Sequence, residues 1–215
     1  MKKTAVIVID VQCDFTESEK GSLAVTGSGQ NFIDEVRRAT EELKQAGYSI
    51  FATQDWHPQT HISFYTSHES KKAFDRISIG GMERVLWPPH CVKGTRGVEL
   101  LVYGELFDGV VKKGEEEEYD SYSGFKDERG TETPLHCLLQ QRGISQLIVY
   151  GIATDYCVRA TVMDAVELGY EVMVMKDLTR GVDPETTRNA LEEMQKHGVV
   201  ILEKLDLEKI GRLTV

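Results

Sequence analysis

Short apolar runs alternate with helical patterns along most of the chain. Six runs are rich in β-branched residues and predict strands buried on both faces. They are TAVIVID at 4–10, YSIFATQD at 48–55, GVVKK at 109–113, QLIVYG at 146–151, YEVMVM at 170–175 and VVIL at 199–202. Amphipathic patterns cover 31–45, 134–142, 155–168 and 184–196, and each is followed within two residues by a glycine. This order predicts an α/β fold with a six-stranded, mainly parallel sheet and helices on both faces, a Rossmann-like three-layer arrangement.

One segment departs from this alternation. A chain of 215 residues with 40% hydrophobic residues is near the upper size of an ordinary domain, so we expect a single domain over 1–215. Within it, 56–106 has weak periodicity but contains both tryptophans and four of the six histidines. A loop of that length inside a compact domain usually has a function. We therefore predict that 56–106 is an insertion that holds part of a functional site.

The overall charge and the apolar pattern exclude several classes of partner. The formal net charge is −10, from 25 Lys and Arg against 35 Asp and Glu, which disfavours binding to a nucleic acid backbone. The first residues lack the features of a secretion signal, and no apolar run reaches 18 residues. Four scattered cysteines are too few for a disulfide framework. We expect a soluble, cytoplasmic protein with free thiols and with neither nucleic acid nor membrane as a partner.

Polar side chains follow four of the predicted strands at the point where each strand ends. The first strand ends at Asp10, the second at Asp55 with His57 close behind, the third at Lys112–Lys113, and the fourth leads to Cys157. The carboxyl ends of parallel strands form the crevice in which ligands bind to open α/β sheets. A single charged residue in such a place is ordinary, but four on one rim predict an active site.

Cys157 is placed at the start of a predicted helix. Thr154 or Asp155 can cap this helix, and the apolar residues that follow Cys157 keep helical spacing. Backbone amides at a helix start, together with a nearby lysine, favour the thiolate that attacks carbonyl groups. We therefore expect Cys157 to be a nucleophile.

The other cysteines offer alternatives. A free cysteine is most often a small buried hydrophobic residue, and Cys137 fits this description best because it lies among leucines in PLHCLLQ. Cys13 and Cys91 fall in loops near the expected site, so either of them is a rival to Cys157 as the reactive thiol.

A group of metal-ligand residue types surrounds the second strand end. Asp55 and His57 are two residues apart on an extended segment, so their side chains project to the same side. His90, in WPPHCVKGT, can supply a third ligand from a loop restrained by prolines. A carboxylate with two imidazoles suits zinc, manganese or iron; the alternative is that these histidines only form hydrogen bonds within a loop. His61 is either a fourth ligand or a residue packed behind the ligands. Three further histidines show no partner in the sequence and are expected at the surface or in packing: His68, His136 and His197.

Five blocks of the sequence resemble the successive signatures of the nicotinamidase/pyrazinamidase family of isochorismatase-like hydrolases. The blocks are VIVIDVQCDF, TQDWHPQTHISF, WPPHCVKGT, KKGEEEEYDSYSGF and GIATDYCVRATVMDAVELG. They occur in the family order and run from residue 5 to about 180, so the resemblance covers most of the chain. One departure is that Cys13 replaces the asparagine usual in the first block, which leaves the acid of that block intact but removes an amide that can form local hydrogen bonds.

The resemblance implies roles for individual residues. It implies a catalytic triad of Asp10, Lys113 and Cys157, with Lys113 rather than Lys112 because the functional lysine of the family directly precedes glycine. It implies that the peptide bond before Ala153 is cis and that the oxyanion hole is formed by backbone N–H groups of Ala153 and Cys157. The implied metal ligands are Asp55, His57 and His90. The implied aromatic pocket residues are Phe15, Trp87 and Tyr122.

The activity implied by the resemblance is hydrolysis of a small molecule, nicotinamide, to nicotinic acid and ammonia through a cysteine thioester. One divalent metal, zinc before manganese or iron, would bind the pyridine nitrogen, and NAD salvage would be the setting. Pyrazinamide as a further substrate and a homo-oligomeric state stay open. The rival interpretations are another carboxamide or N-carbamoyl hydrolase of the superfamily, a true isochorismatase, or a non-catalytic binding protein on the same fold.

Overall fold

A computed structural model of the chain describes residues 3–79 and 81–213. Its strands are β1 (Thr4–Ile9), β2 (Ser49–Asp55), β3 (Arg76–Ile79), β4 (Met82–Val85), β5 (Gly109–Lys113), β6 (Gln146–Ile152), β7 (Glu171–Arg180) and β8 (Val200–Leu202). Six of them form one parallel sheet in the order β5-β2-β1-β6-β7-β8, while β3 and β4 form a separate antiparallel hairpin. The expected α/β fold with a six-stranded parallel sheet is confirmed.

The strands differ from the sequence expectation in two places. β7 continues to Arg180, five residues beyond the predicted run, and its second half pairs with β6 after a register shift between Val149 and Gly151. That half reads KDLTR and has no apolar run, so it lacked a strand signal. The hairpin of β3 and β4 lies inside 56–106 and was not predicted, because its strands have four residues each and β3 is at most half-buried.

The helices are α1 (Gln30–Gln45), α2 (Leu135–Gln141), α3 (Arg159–Glu167), α4 (Pro184–Lys196) and α5 (Leu207–Leu213). The helix predicted over 155–168 begins instead with a π-helical turn, Thr154–Val158, and only then becomes α3. The expected cap at Thr154 or Asp155 is wrong, since neither side chain caps this turn; the Asp155 carboxylate accepts hydrogen bonds from the start of α4. Among the described residues, no helix combines the length and apolarity that a membrane span requires.

The core consists of two apolar layers, one on each face of the sheet. Alternate residues of β1 point to opposite faces, with Val6 and Val8 on one side and Ile7 and Ile9 on the other. Residues of α1 and α5 cover the first face, and residues of α2, α3 and α4 cover the second. Because both faces are covered, β1 is fully buried, which explains why its sequence is apolar throughout.

The sheet order places the ends of four strands side by side. β1 lies between β2 and β6, and β5 lies beside β2, so the carboxyl ends of all four meet at one edge. At the end of β6, Gly151 has a φ of 131°, and a Cβ atom there would lie 2.0 Å from the carbonyl oxygen of Ile9. Only glycine lets β6 approach β1 this closely. The segment that leads to Cys157 is thereby held against the end of β1.

Candidate active site

Lys113, the last residue of β5, lies at the centre of the strand-end cluster. Its Nζ atom is 3.0 Å from Asp10 Oδ2, 2.5 Å from Asp55 Oδ1 and 3.4 Å from Cys157 Sγ. It also donates to the carbonyl oxygen of Ser121 at 2.9 Å. Burial by itself would lower the pKa of Lys113, but the charges of Asp10 and Asp55 outweigh it and raise that pKa well above its ordinary value. The ammonium is therefore charged under all physiological conditions.

Lys112 faces away from this cluster. Its side chain is exposed, and Nζ lies 3.5 Å from the ring centroid of Trp56, in a cation–π contact. Neighbouring residues of a strand point to opposite faces, so only one of the two lysines can reach Asp10 and Cys157. The structure brings Lys113 to the site.

Asp10 directly follows β1 and is completely buried. Its φ of 46° is in the left-handed region, which residues with a side chain seldom adopt outside functional or strained positions. Oδ1 accepts a hydrogen bond of 2.7 Å from Thr53 Oγ1, and Oδ2 faces the Lys113 ammonium. Burial raises the pKa of Asp10, and although Lys113 opposes this effect, the net shift is upward. A carboxylate with a raised pKa is a better proton acceptor.

Cys157 lies in the π-helical turn with only 7% of its surface exposed. Its Sγ atom, one oxygen of Asp10 and one oxygen of Asp55 all lie within 4.8 Å of one another. Burial raises the pKa of the Cys157 thiol well above its ordinary value; the charge of Lys113 lowers it and that of Asp10 raises it further. Because the charged form is disfavoured, the structure favours a neutral thiol beside a base that can take its proton.

Asp55, His57 and His90 form a group with the geometry of a metal site. Their ligand atoms lie within 4.8 Å of one another, and all three side chains are buried. The Nδ1 atoms of His57 and His90 each contact a backbone carbonyl oxygen, that of Gly114 at 2.9 Å and that of Pro88 at 2.8 Å. Since Nδ1–H donates there, each Nε2 keeps a free lone pair, as a metal ligand requires.

The protonation states of this group also fit a cation. Burial, followed by the charge of His57, lowers the pKa of His90 to about 3, so that His90 is neutral at pH 7. Burial acts against Asp55, but Lys113 and His57 hold its pKa well below the usual range. An ionised carboxylate and a neutral imidazole are forms that bind divalent metals. These residues fit a divalent metal ion.

His61 is buried beside this group without joining it. Its Nε2 atom contacts the carbonyl oxygen of Tyr119 at 3.2 Å, and its Nδ1 atom accepts from the Ser63 N–H at 3.2 Å. Its ring packs against that of His57 with 4.4 Å between centroids. Burial lowers the pKa of His61 to about 4. With both nitrogens engaged by the backbone, His61 supports the position of His57.

A pocket of about 550 Å³, including the space at its mouth, opens between the triad residues and the metal-ligand group. Phe15, Trp87 and Tyr122 line it, as the resemblance implied. Tyr156 was missed and also lines it: its ring meets that of Trp87 edge-on at 5.0 Å. Trp87 Nε1 donates to Tyr122 Oη at 3.1 Å. The walls of the pocket are suited to a flat aromatic molecule.

Ala153 and Cys157 border the same pocket. The peptide bond between Ile152 and Ala153 is cis, as expected from the resemblance. The carbonyl oxygen of Ala153 accepts hydrogen bonds from the N–H groups of Tyr156 and Val158, at 3.1 and 3.0 Å. These bonds hold the turn that presents the Cys157 thiol to the pocket.

A model of the isochorismatase domain family matches residues 4–204. The chain belongs to the isochorismatase family. The nicotinamidase of Escherichia coli is 36% identical over 97% of this chain and 99% of its own length. Among solved structures, the nicotinamidase/pyrazinamidase of Acinetobacter baumanii superposes with a TM-score of 0.84 at 35% identity, covering 94% of this chain and 96% of that one. The pyrazinamidase of Pyrococcus horikoshii in complex with zinc gives 0.78 at 36% identity, covering 94% and 99%. The resemblance to the nicotinamidase/pyrazinamidase group is confirmed.

The remaining cysteines of this isochorismatase-family chain lie outside the cluster. Cys91 is fully buried and its Sγ atom contacts the carbonyl oxygen of Gly97 at 3.6 Å, while burial raises the pKa of its thiol. Cys13 is also buried, and burial raises its pKa. Cys137 is exposed, so the expectation that it is the buried structural cysteine is wrong. Cys137 lies on the exposed side of α2. The short pattern of leucines around it did not show which side of the helix would be buried.

Gln12 is a site residue that sequence reasoning missed. Its amide exchanges two hydrogen bonds with the backbone of Asp55: Nε2 donates to the Asp55 carbonyl at 2.9 Å, and Oε1 accepts from the Asp55 N–H at 2.8 Å. Nε2 also donates to the carbonyl of Val98. The buried glutamine thereby ties β1 to β2 where the family pattern has Gln followed by Asn. Cys13, in place of that asparagine, leaves these bonds intact.

Proposed function

We propose that this chain is a nicotinamidase that hydrolyses nicotinamide to nicotinic acid and ammonia through a thioester of Cys157. The observation that carries the proposal is the position of the Lys113 ammonium, 3.4 Å from Cys157 Sγ and 3.0 Å from Asp10, at one end of an aromatic pocket. A thiol, a base and a fixed positive charge are the groups that covalent amide hydrolysis needs. The similarity to nicotinamidases supports the choice of substrate.

In the first step Asp10 takes the thiol proton while Cys157 Sγ forms a bond to the carboxamide carbon. The π electrons of the carbonyl group move to its oxygen, and the backbone N–H groups of Ala153 and Cys157 bind the oxyanion. The Lys113 ammonium stabilises the negative charge that develops on Sγ as the proton leaves. The neutral resting thiol fits this order of events, because its proton must be removed as the sulfur attacks. Asp10 is the base that accepts this proton, and Lys113 stabilises the sulfur as it loses the proton.

In the second step the oxyanion collapses and the carbon–nitrogen bond breaks. Asp10 returns the proton to the departing nitrogen, and ammonia leaves a thioester behind. A water molecule then attacks the thioester while Asp10 takes one of its protons. The carbon–sulfur bond breaks, the thiol is restored and the carboxylic acid product is released.

The rest of the pocket binds and orients the ring. Phe15, Trp87 and Tyr122 hold its faces and edges. Asp55, His57 and His90 would hold a divalent metal, zinc before manganese or iron, which would supply a Lewis-acidic partner for the pyridine nitrogen. In this proposal 56–106 is the metal-binding insertion of a single domain over 1–215, and the protein serves NAD salvage in the cytoplasm, alone or as a homo-oligomer.

The test is ammonia release by the purified, zinc-loaded chain from nicotinamide, pyrazinamide and an N-carbamoyl amino acid. We expect nicotinamide to be hydrolysed, Cys157→Ala to abolish release, and Cys137→Ala, which removes an exposed thiol, to leave it unchanged. Release from the N-carbamoyl compound alone would favour the other hydrolases of the superfamily. Release from none of them, with nicotinamide still bound, would favour a binding protein. Normal release by Cys157→Ala would exclude the covalent scheme.

A further inference from the structure

An ion-pair network around the buried residues Arg84 and Asp120 borders the pocket, and the proposed reaction makes no use of it. Arg84 projects from β4 with 3% of its side chain exposed. Its Nη1 atom donates to Asp120 Oδ2 at 2.7 Å, and its Nη2 atom donates to Glu128. Asp120 Oδ1 accepts a further hydrogen bond from Ser63 Oγ. Charges are seldom buried to this extent without a role in holding neighbouring structure.

The network fixes the backbone at Asp120. Glu128 Oε1, which binds Arg84, also accepts from the Asp120 N–H at 3.1 Å. The Glu128 N–H donates to the Asp120 carbonyl at 3.0 Å. Asp120 is therefore held through its side chain, its N–H and its carbonyl group. The next residue is Ser121, whose carbonyl oxygen accepts from Lys113 Nζ at 2.9 Å.

This carbonyl completes the set of acceptors around the ammonium. An ammonium has three N–H donors, and Lys113 Nζ donates to Asp55 Oδ1, to the Ser121 carbonyl oxygen and to Cys157 Sγ, while Asp10 Oδ2 lies 3.0 Å away as an ion-pair partner. Two of these oxygens belong to the ends of β1 and β2, but the third belongs to a loop. The four-carbon stem of lysine is flexible, so the position of Nζ beside the thiol depends on all three oxygens.

We propose that Arg84 is a positioning residue of the active site: through Asp120 it holds the Ser121 carbonyl against Lys113 and so keeps the ammonium beside Cys157. The inference rests on the proposed function and extends it to the β3–β4 hairpin. Arg84 itself does not line the pocket, whereas Asp120 does. Loss of the Arg84 side chain should therefore affect the reaction step more than substrate capture. A shift of about 1 Å in a catalytic group is enough to cost roughly 100-fold in rate.

The test compares Arg84→Gln and Arg84→Lys with a control, Lys44→Gln. Lys44 forms an ion pair of 2.9 Å with Asp108 at the opposite, amino-terminal end of β2, so this control also removes one charge from an ion pair. Ammonia release from nicotinamide gives kcat and KM for each folded variant. We expect Arg84→Gln to lower kcat about 10-fold or more, because the catalytic ammonium is misplaced, with KM within about 2-fold. Arg84→Lys should recover most of kcat, and Lys44→Gln should leave both constants unchanged.

Arg84→Gln leaves the buried Asp120 carboxylate without its charged partner and is expected to be less stable. If it does not fold, kcat and KM are measured on the double variant Arg84→Gln/Asp120→Asn, which has one less uncompensated charge. If Arg84 acts through Asp120, the kcat of the double variant is no lower than that of the slower of the two single variants, Arg84→Gln and Asp120→Asn. If the two residues act independently, the fold-losses in kcat of the single variants multiply in the double variant. A folded Arg84→Gln with wild-type kcat, or with a raised KM alone, would overturn the proposal.

A second readout separates this proposal from the function itself. Iodoacetamide alkylation of the peptide that contains Cys157, followed by mass spectrometry at one pH, reports the reactivity of the thiol without any substrate. We expect slower alkylation in Arg84→Gln than in the wild-type chain. If the wild-type chain does not hydrolyse nicotinamide but this difference is present, the function is wrong and the positioning role stands. If the wild-type chain is active and neither readout changes, the positioning role is wrong and the function stands.

Discussion

The Nζ atom of Lys113 lies 2.5 Å from Oδ1 of Asp55, while Oδ2 of the same carboxylate lies 3.5 Å from His57 Nε2. One carboxylate therefore contacts both the group that would stabilise charge in the reaction and a histidine of the metal-ligand group. The two halves of the site cannot move independently. Substitutions in one half are therefore expected to have effects in the other.

Replacing Lys113 with Met should remove turnover while the same change at Lys112 should not. Loss of the ammonium takes away a charge that stabilises the developing thiolate and oxyanion, and we expect kcat to fall at least about 100-fold. It also leaves Asp10 and Asp55 close together without a cation, which should lower the free energy of unfolding by about 3 kcal/mol. Lys112→Met removes only an exposed cation–π contact, worth about 1 kcal/mol or less. Steady-state kinetics and urea unfolding measure both effects; equal losses of kcat in the two variants would contradict the assignment.

Removal of the metal should weaken substrate capture more than the reaction step. Because the ligand group lies beside the aromatic pocket and Cys157 supplies the nucleophile, dialysis against a chelator is expected to raise KM for nicotinamide and to change kcat less. Titration of zinc into Cys157→Ala protein isolates the ligand group from the thiol. There His90→Ala should weaken zinc binding about 100-fold or more, and His61→Ala about 10-fold. His68→Ala, a control whose Nε2 contacts the carbonyl oxygen of Ile62, should leave it unchanged. An equal loss for His61→Ala and His90→Ala would make His61 a ligand.

Much of the site was accessible from the sequence because it is formed by residues at strand ends. In a parallel sheet, the residues that follow neighbouring strands must meet at one edge, so Asp10, Asp55 and Lys113 could be brought together without coordinates. Cys157 followed from the helix that begins after β6. For the metal group, the i, i+2 spacing placed Asp55 and His57 on one side. His90 was a candidate third ligand from its place in a loop restrained by prolines, and the family resemblance implied the same role.

The elements that were missed carry weak signals for physical reasons. Gln12 and the Ser121 carbonyl act through a neutral amide and a backbone oxygen, which no residue pattern distinguishes. Arg84 lies on a hairpin whose strands are too short for periodicity, and its burial depends on partners far along the chain. The exposed position of Cys137 was misjudged because Cys137 is two positions from both Leu135 and Leu139, and residues two positions apart on a helix do not share one face.

The metal-free protein should lose stability as the pH falls below about 6.5. In the folded chain the pKa values of His61 and His90 are lowered to about 4 and about 3, while in the unfolded chain they are near 6.5. Between these limits the unfolded chain binds more protons, so the free energy of unfolding decreases with falling pH, by roughly 1 kcal/mol for each histidine at pH 5.5. Well above pH 6.5 both states are neutral at these positions and the contribution is constant.

Urea unfolding between pH 8 and 5 in the presence of a chelator measures this dependence. The raised pKa of Asp10 acts in the opposite sense, because protonation of that carboxyl is easier in the folded chain. The comparison is therefore made with a double variant, His61→Asn/His90→Asn, which keeps Asp10. Its unfolding free energy should fall less steeply with pH than that of the wild-type chain. Parallel curves for the two proteins would show that these histidines do not titrate as described.

Replacing Gly114 with Ala should disturb the metal-ligand group through a single contact. Gly114 has a φ of 67°, and a Cβ atom there would lie 2.3 Å from His57 Cε1, while its own carbonyl accepts from His57 Nδ1 at 2.9 Å. The ring must therefore move or the backbone must shift, and either change breaks the bond that orients Nε2. We expect zinc affinity to fall about 10-fold or more.

Gly130→Ala is the matched control, because Gly130 has a φ of 85° but a Cβ atom there meets nothing within 4 Å. Both variants should lose about 1 kcal/mol of stability from the left-handed backbone conformation, but only Gly114→Ala should lose zinc affinity. Equal zinc affinities in the two variants would mean that the contact between Gly114 and His57 does not hold the imidazole in place.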